Sequence, residues 1–195
     1  MREITNKRKE RILSVLKRRQ KDLTLVLNNI HDPHNVSAIL RSCDAFSVFQ
    51  VQLLYNSQPF PSLGHKSSAS AKKWLEIKRY TESQELMQDL RSQRMQTLTA
   101  GFGPKAVPVY DWDLTLPTAI ILGNEHSGVE QEVISQASGE IYIPMQGMVQ
   151  SLNVSVAAAI ILYEAWRQRL SKNTLEAHSL DPEEIESMYQ TWSKR

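Results

Sequence analysis

The sequence predicts an α/β fold with a mostly parallel sheet, helices on both faces and a further helix at each end. Three observations predict it. Apolar runs of strand length alternate with stretches of helical periodicity along the chain, the pattern of a sheet crossed over by helices. Several runs end in polar, turn-forming segments, and binding corners of open α/β sheets lie at such carboxyl strand ends. The chain is 195 residues long, which suits one domain with terminal helical additions.

The elements follow in order. Residues 4–19 read as a helix with Ile4, Ile12, Val15 and Leu16 on a thin apolar side and Arg8, Arg11 and Arg19 on a basic one. So little apolar surface cannot hold a helix alone, so it must dock on another element. Leu23 to Leu27 is a strand. The polar loop 28–35 follows, with Asn35 expected to cap a helix in which Val36, Ile39, Leu40 and Cys43 point inward. Arg41 is spaced to form an i,i+3 ion pair with Asp44. Val51 to Tyr55 is a second strand. The polar stretch 56–73 carries His65, Lys66, Lys72 and Lys73, and a loop of that length is functional or mobile. Then come a short strand at 74–80, a helix at 82–94 with Leu86, Met87 and Leu90 inward, and a strand at 95–100. Residues 107–117 read as irregular, anchored by Trp112. Ala119 to Leu122 is a fully apolar strand running into Gly123-Asn124-Glu125-His126-Ser127-Gly128. A helix at 130–137 returns the chain to the strand Ile141–Ile143, closed by Pro144.

The stretch from Ile141 to Ala165 is the most informative. A strand, a glycine-bearing loop and a capped helix succeed one another within it. Ser151 or Asn153 can cap the helix by accepting from its free N–H groups. Val156, Ile160 and Tyr163 share one side, with Ala157, Ala158 and Ala159 as a thin flank. The stretch SLDPEEIESMYQTW, 179–192, suggests a capped last helix with Ile185, Met188 and Trp192 inward.

Composition excludes much. The longest apolar run is too short to span a bilayer, and the basic start is followed by no apolar segment, so no signal peptide and a cytoplasmic location are expected. The single cysteine, Cys43, rules out an internal disulfide framework and a cysteine-rich metal site, and no metal is expected. Net charge is only +2, but residues 1–22 hold nine basic against three acidic residues. A basic arm on a mildly acidic body points to a polyanionic partner. There is no P-loop, no GxGxxG after a strand and no HExxH. His126-Ser127 could be forced into a hydrolase triad, but no GxSxG elbow supports one.

What remains is a set of polar corners and an arginine, and here the sequence resembles a known family. NNIHDPHNVSAILRSCDA, IILGNEHSGV and IPMQGMVQSLNVSVAAAIILYEA are similar to the first, second and third motifs of the SpoU family of RNA 2′-O-methyltransferases, in the family's order. The match is closest to the branch that methylates guanosine-18 in the D-loop of tRNA. The resemblance implies a deep trefoil knot at the C-terminal end, S-adenosylmethionine as cofactor, tRNA as partner and a homodimer with a shared active site. It divides the chain into a basic helical extension at 1–20, a catalytic domain at 21–170 and a helical extension at 171–195.

Carried over by motif position, the resemblance gives catalytic roles to Arg41, Asn35, Glu125, Ser151 and Asn153. It gives the cofactor pocket to Ala100, Leu122, Gly123, Ile143, Met148, Ser151 and Leu152, and RNA binding to Arg8, Arg11, Arg19, Arg167 and Arg169. The family account has the arginine remove the ribose 2′-hydroxyl proton. Guanidinium stays protonated in proteins, so the alternative is that Arg41 stabilises the developing alkoxide while a substrate phosphate takes the proton. Two other readings are a ribosomal RNA ribose methyltransferase and a non-catalytic RNA-binding protein on the same scaffold.

Overall fold

The computed structural model describes residues 4–61, 71–176 and 179–195. Among them, seven parallel strands form one sheet. In chain order the strands are β1 (Gln20–Asn28), β2 (Val48–Leu54), β3 (Glu76–Tyr80), β4 (Gln96–Ala100), β5 (Val107–Pro108), β6 (Thr118–Leu122) and β7 (Gly139–Tyr142). Their order across the sheet is β3-β2-β1-β6-β4-β7-β5. The helices are α1 (Asn6–Leu16), α2 (Pro33–Ala45), α3 (Ser83–Ser92), α4 (Gln131–Gln136), α5 (Val154–Ser171) and α6 (Pro182–Trp192).

Period-two alternation sorts the strand residues between two cores. In β1, Leu23, Leu25 and Leu27 face one core and Val26 the other; in β6, Ile120 and Leu122 separate in the same way from Ala119 and Ile121. The first core is closed by Val36, Ile39, Leu40 and Cys43 of α2 and by Ala158, Ile161, Leu162 and Ala165 of α5. The second is closed by Leu86, Met87 and Leu90 of α3 and Val133 of α4. Helices therefore cover both faces, as expected. β5 lies in the stretch whose sequence reads as irregular: its two residues pair with Ile141 and Tyr142 at the sheet edge, too short a run to show a period. Trp112 anchors the segment after β5 as expected, donating to Gln96 at 2.8 Å, with its ring over Gly139 where a Cβ would lie 2.3 Å from it.

The terminal helices dock on each other. Ile12 and Leu16 of α1 share a small third core with Leu180 and Trp192, flanked by Ile185, Met188 and Tyr189 of α6. Asp181 and Glu184 close a reciprocal capping box at the start of α6. α1 is shorter than the sequence suggests, ending at Leu16. Of the 56–73 stretch, residues 62–70, including His65 and Lys66, lie outside the described residues. Lys72 and Lys73 form an exposed 3-10 turn with Trp74.

Two expectations about α2 need correction. The N-cap is Asp32, whose carboxylate accepts from the His34 N–H at 2.8 Å, with Pro33 at the first helical position. Asn35 lies inside the first turn, which frees its amide for other work. The Arg41–Asp44 pair is not formed, because Asp44 is paired with Arg19.

Candidate active site

Three corners meet at the carboxyl edge of the sheet, after β1, β6 and β7. The β6 corner is built by glycine. Asn124 and Gly128 exchange two backbone hydrogen bonds of 2.9 Å, closing a tight loop. Gly128 sits at a φ of 71°, where a side chain would be strained. A Cβ on Gly123 would lie 2.1 Å from the Gly128 carbonyl carbon, so only glycine fits there. The loop is also held from beside: Asn124 donates to the Asn29 carbonyl at 2.7 Å and accepts from the His126 N–H at 2.9 Å.

That geometry presents Glu125 to the β1 corner. Its carboxylate accepts from the His31 N–H at 2.9 Å, the Asp32 N–H at 3.4 Å and the Asn35 amide at 2.8 Å. Partial burial pushes its pKa up, but these hydrogen bonds outweigh it and hold the carboxyl below its ordinary range. Asn35 in turn accepts from Asn153 at 3.0 Å. Asn153 caps α5, accepting from the Ser155 N–H at 2.8 Å. A single polar relay, Glu125–Asn35–Asn153, thus ties all three corners together.

The relay separates two concavities. One, of about 510 Å³, is lined by Ala100, Leu122, Gly123, Ile143, Ser151 and Leu152, with Phe102, Glu125, Asn153 and Ala157 among the others. Its size and mostly apolar wall suit an organic cofactor of a few tens of atoms, and its rim is strand-end backbone that can read a heterocycle edge. The other is an open groove between α2 and α5, lined by His34, Arg41, Ser155, Val156, Ile160 and Tyr163. Arg41 is exposed there and makes no hydrogen bond or ion pair with any described residue.

Not every expected residue falls in place. Met148 is 99 % exposed and lies off the cavity wall, because the loop 145–150 carries it into solvent; Met145 lines the cavity instead. Arg19 and Arg169 are fully buried and are placed to hold the chain, not to meet RNA. Arg19 donates to the Val48 and Trp74 carbonyls at 2.9 Å and lies over the Trp192 ring. Arg169 pairs with Asp22 at 2.6 Å and donates to the Leu114 and Leu116 carbonyls. Arg8 and Arg11 are exposed on α1. Arg167 is half-exposed and chelated by Glu164 through two bonds of 2.7 and 2.8 Å.

Sequence reasoning missed the hub behind the β1 corner. The Glu130 carboxylate accepts from the amides of Asn28, Asn29 and Asn56 at 2.8 to 3.2 Å, and the Glu130 N–H donates back to Asn28 at 3.1 Å. Asn29 adopts a φ of 52° within it. The consecutive asparagines at a strand end were the available signal, since asparagine tolerates that conformation.

A model of the SpoU rRNA methylase family matches residues 22–163, most of the chain. The chain belongs to this family. A tRNA (guanosine(18)-2′-O)-methyltransferase of Thermus thermophilus is 40% identical over 195 residues, covering the whole of both chains. One of Escherichia coli is 41% identical over 89% of this chain and 76% of its own. Among solved structures, the TrmH/SpoU tRNA modifying enzyme of Aquifex aeolicus superposes with a TM-score of 0.89 at 36% identity, over 96% of this chain and 95% of that one. The SpoU methyltransferase AviRb of Streptomyces viridochromogenes, in complex with the cofactor AdoMet, superposes with a TM-score of 0.71 at 27% identity over 82% of this chain and 65% of its own. Among the described residues of this SpoU member, no helix is long and apolar enough to cross a membrane, and no cluster of metal-ligating side chains is assembled.

Proposed function

We propose that this protein methylates the ribose 2′-hydroxyl of guanosine-18 in the D-loop of tRNA, using S-adenosylmethionine. The observation that carries the reading is the Glu125–Asn35–Asn153 relay set between a cofactor-sized cavity and a groove with a free arginine. Gly123, Leu122, Ile143, Ser151 and Leu152 would hold the cofactor by backbone and apolar contact. When bound, the cofactor supplies an electrophilic methyl group.

The chain's own residues do the rest. The relay fixes the corners, so that the cofactor cavity and the groove keep one mutual orientation; such positioning supplies much of the rate in a displacement of this kind. Arg41 stands where a polyanion can enter. Its guanidinium stabilises the 2′-oxygen as it becomes negative, and a phosphate oxygen of the substrate takes the proton. Arg8, Arg11 and Arg167 grip the RNA backbone through salt-dependent contacts. The reading includes the catalytic span 21–170, a trefoil knot in its C-terminal part, a cytoplasmic location and a homodimer. Dimerisation is supported by Val156, Ile160 and Tyr163, an apolar side of α5 that is 37 to 51 % exposed in the single chain.

The test is transfer of labelled methyl to unmodified tRNA transcripts with mapping of the modified nucleotide. A 2′-O-methylguanosine in the D-loop supports the proposal; transfer to ribosomal RNA alone overturns the substrate. Arg41→Ala is expected to abolish transfer and leave cofactor affinity unchanged.

A further inference from the structure

We propose that Arg19 is a positioning residue for Arg41: it holds the Asp44 carboxylate and so keeps the Arg41 guanidinium unpaired in the groove. The proposal rests on the reading of Arg41 given above.

Asp44 lies three residues beyond Arg41 on α2, the spacing at which opposite charges on a helix meet. Left to themselves the two would pair, and a carboxylate beside Arg41 would cancel the positive field that a developing alkoxide or a phosphate needs. The structure shows Asp44 engaged elsewhere. Arg19, in the link between α1 and β1, is fully buried and bonds Asp44 through both its side-chain and its backbone oxygen. The guanidinium cannot drift toward solvent, because the Val48 and Trp74 carbonyls each hold it at 2.9 Å and the Trp192 ring lies 5.3 Å from its carbon. A planar fork with several donors can serve those acceptors at once, which a lysine cannot. Arg19 is thus fixed by several partners of the scaffold, while the Asp44 side chain that it holds is 34 % exposed. Arg41 is left with no acceptor among the described residues.

The Trp192 contact extends the arrangement to the C-terminal helix. α6 has no residue in either concavity, yet its last aromatic covers the group that occupies Asp44.

The test compares Arg19→Met, Arg19→Met with Asp44→Asn, and Arg41→Ala in steady-state methyl transfer to a tRNA transcript, with thermal unfolding alongside. In Arg19→Met the released carboxylate swings to Arg41; kcat falls about fivefold or more, the scale of a solvent-screened charge pair at close range, while the KM for S-adenosylmethionine is unchanged. Adding Asp44→Asn removes the competing charge and restores kcat to within about twofold of wild type. A merely structural Arg19 would give a double variant no faster than the single one, and that result overturns the proposal. Should Arg19→Met fail to fold, Ala45→Glu places a carboxylate at the i,i+4 position from Arg41 with Arg19 intact. It is expected to lower kcat while Ala45→Gln does not, and equal rates for the two overturn the proposal. Failed rescue with an inactive Arg41→Ala rejects the role of Arg19 alone; an active Arg41→Ala rejects the reading of Arg41 as well.

Discussion

Glu125→Gln is the most informative single change, because the carboxylate is the meeting point of two corners. It accepts three hydrogen bonds, of which those from the His31 N–H at 2.9 Å and the Asn35 amide at 2.8 Å are well formed. Glutamine keeps one oxygen and presents an NH2 to a donor, so at least one charge-assisted bond disappears. Such a bond contributes about 1.5–3 kcal/mol when shielded. Glu125 is exposed, so solvent screening brings that figure down to about 1–2 kcal/mol. If that energy orders the cofactor cavity, affinity for S-adenosylmethionine falls about 5- to 30-fold, read by calorimetry. The change also has a pH signature. The folded carboxyl lies below its ordinary range, so its stabilisation is fully present above the unfolded pKa of about 4.3 and is lost as pH falls through the folded value. The gap in thermal midpoint between wild type and Glu125→Gln should therefore be widest above about pH 5 and close in acid. Unchanged affinity, or a gap that does not depend on pH, refutes the relay as the element that orders the site.

Other changes test other parts of the argument. Gly123→Ala forces a Cβ within 2.3 Å of the Gly128–Val129 backbone; overpacking costs about 1–3 kcal/mol, and cofactor binding measured by fluorescence should drop while the secondary structure persists. Arg169→Met breaks a buried pair with Asp22 and should cost about 3–5 kcal/mol, seen in denaturant unfolding, without changing the salt dependence of tRNA binding. Arg8→Ala with Arg11→Ala should do the reverse, lowering the slope of log affinity against log salt by about one for each phosphate no longer neutralised, with the thermal midpoint held. Asp181→Ala removes the capping box of α6 and should lower the midpoint of the same unfolding titration.

Strands and helices with a sustained period were legible in the sequence. Leu23 to Leu27 and Ala119 to Leu122 announced β1 and β6, and the helical part of the stretch ending at Ala165 announced α5, because burial on a sheet or helix face imposes spacing that survives without tertiary context. β5 was not legible, since two residues carry no period and its pairing with β7 is decided by chain elements far away in sequence. The cap of α2 lies three residues before the position that local pattern favours. Asp32 and Asn35 both qualify locally; Asp32 takes the cap with Pro33 at the first helical position, and the Asn35 amide bonds Glu125, 90 residues away.

The arginines show the deeper limit. In sequence, Arg8, Arg11 and Arg19 form one basic cluster, and Arg167 and Arg169 another. In the structure each cluster splits: Arg19 and Arg169 have 0 % exposure, and each answers a carboxylate and several carbonyls. Burying a guanidinium is tolerable only where nearly all its donors are met, and those acceptors come from Asp44, Val48 and Trp74 in one case and Gln20, Asp22, Leu114 and Leu116 in the other. No local pattern announces such a set. A count of positive charges therefore overstates the surface available to RNA. The structure sorts these arginines by exposure: Arg8, Arg11 and Arg167 face solvent, while Arg19 and Arg169 are spent on neighbouring carboxylates and carbonyls.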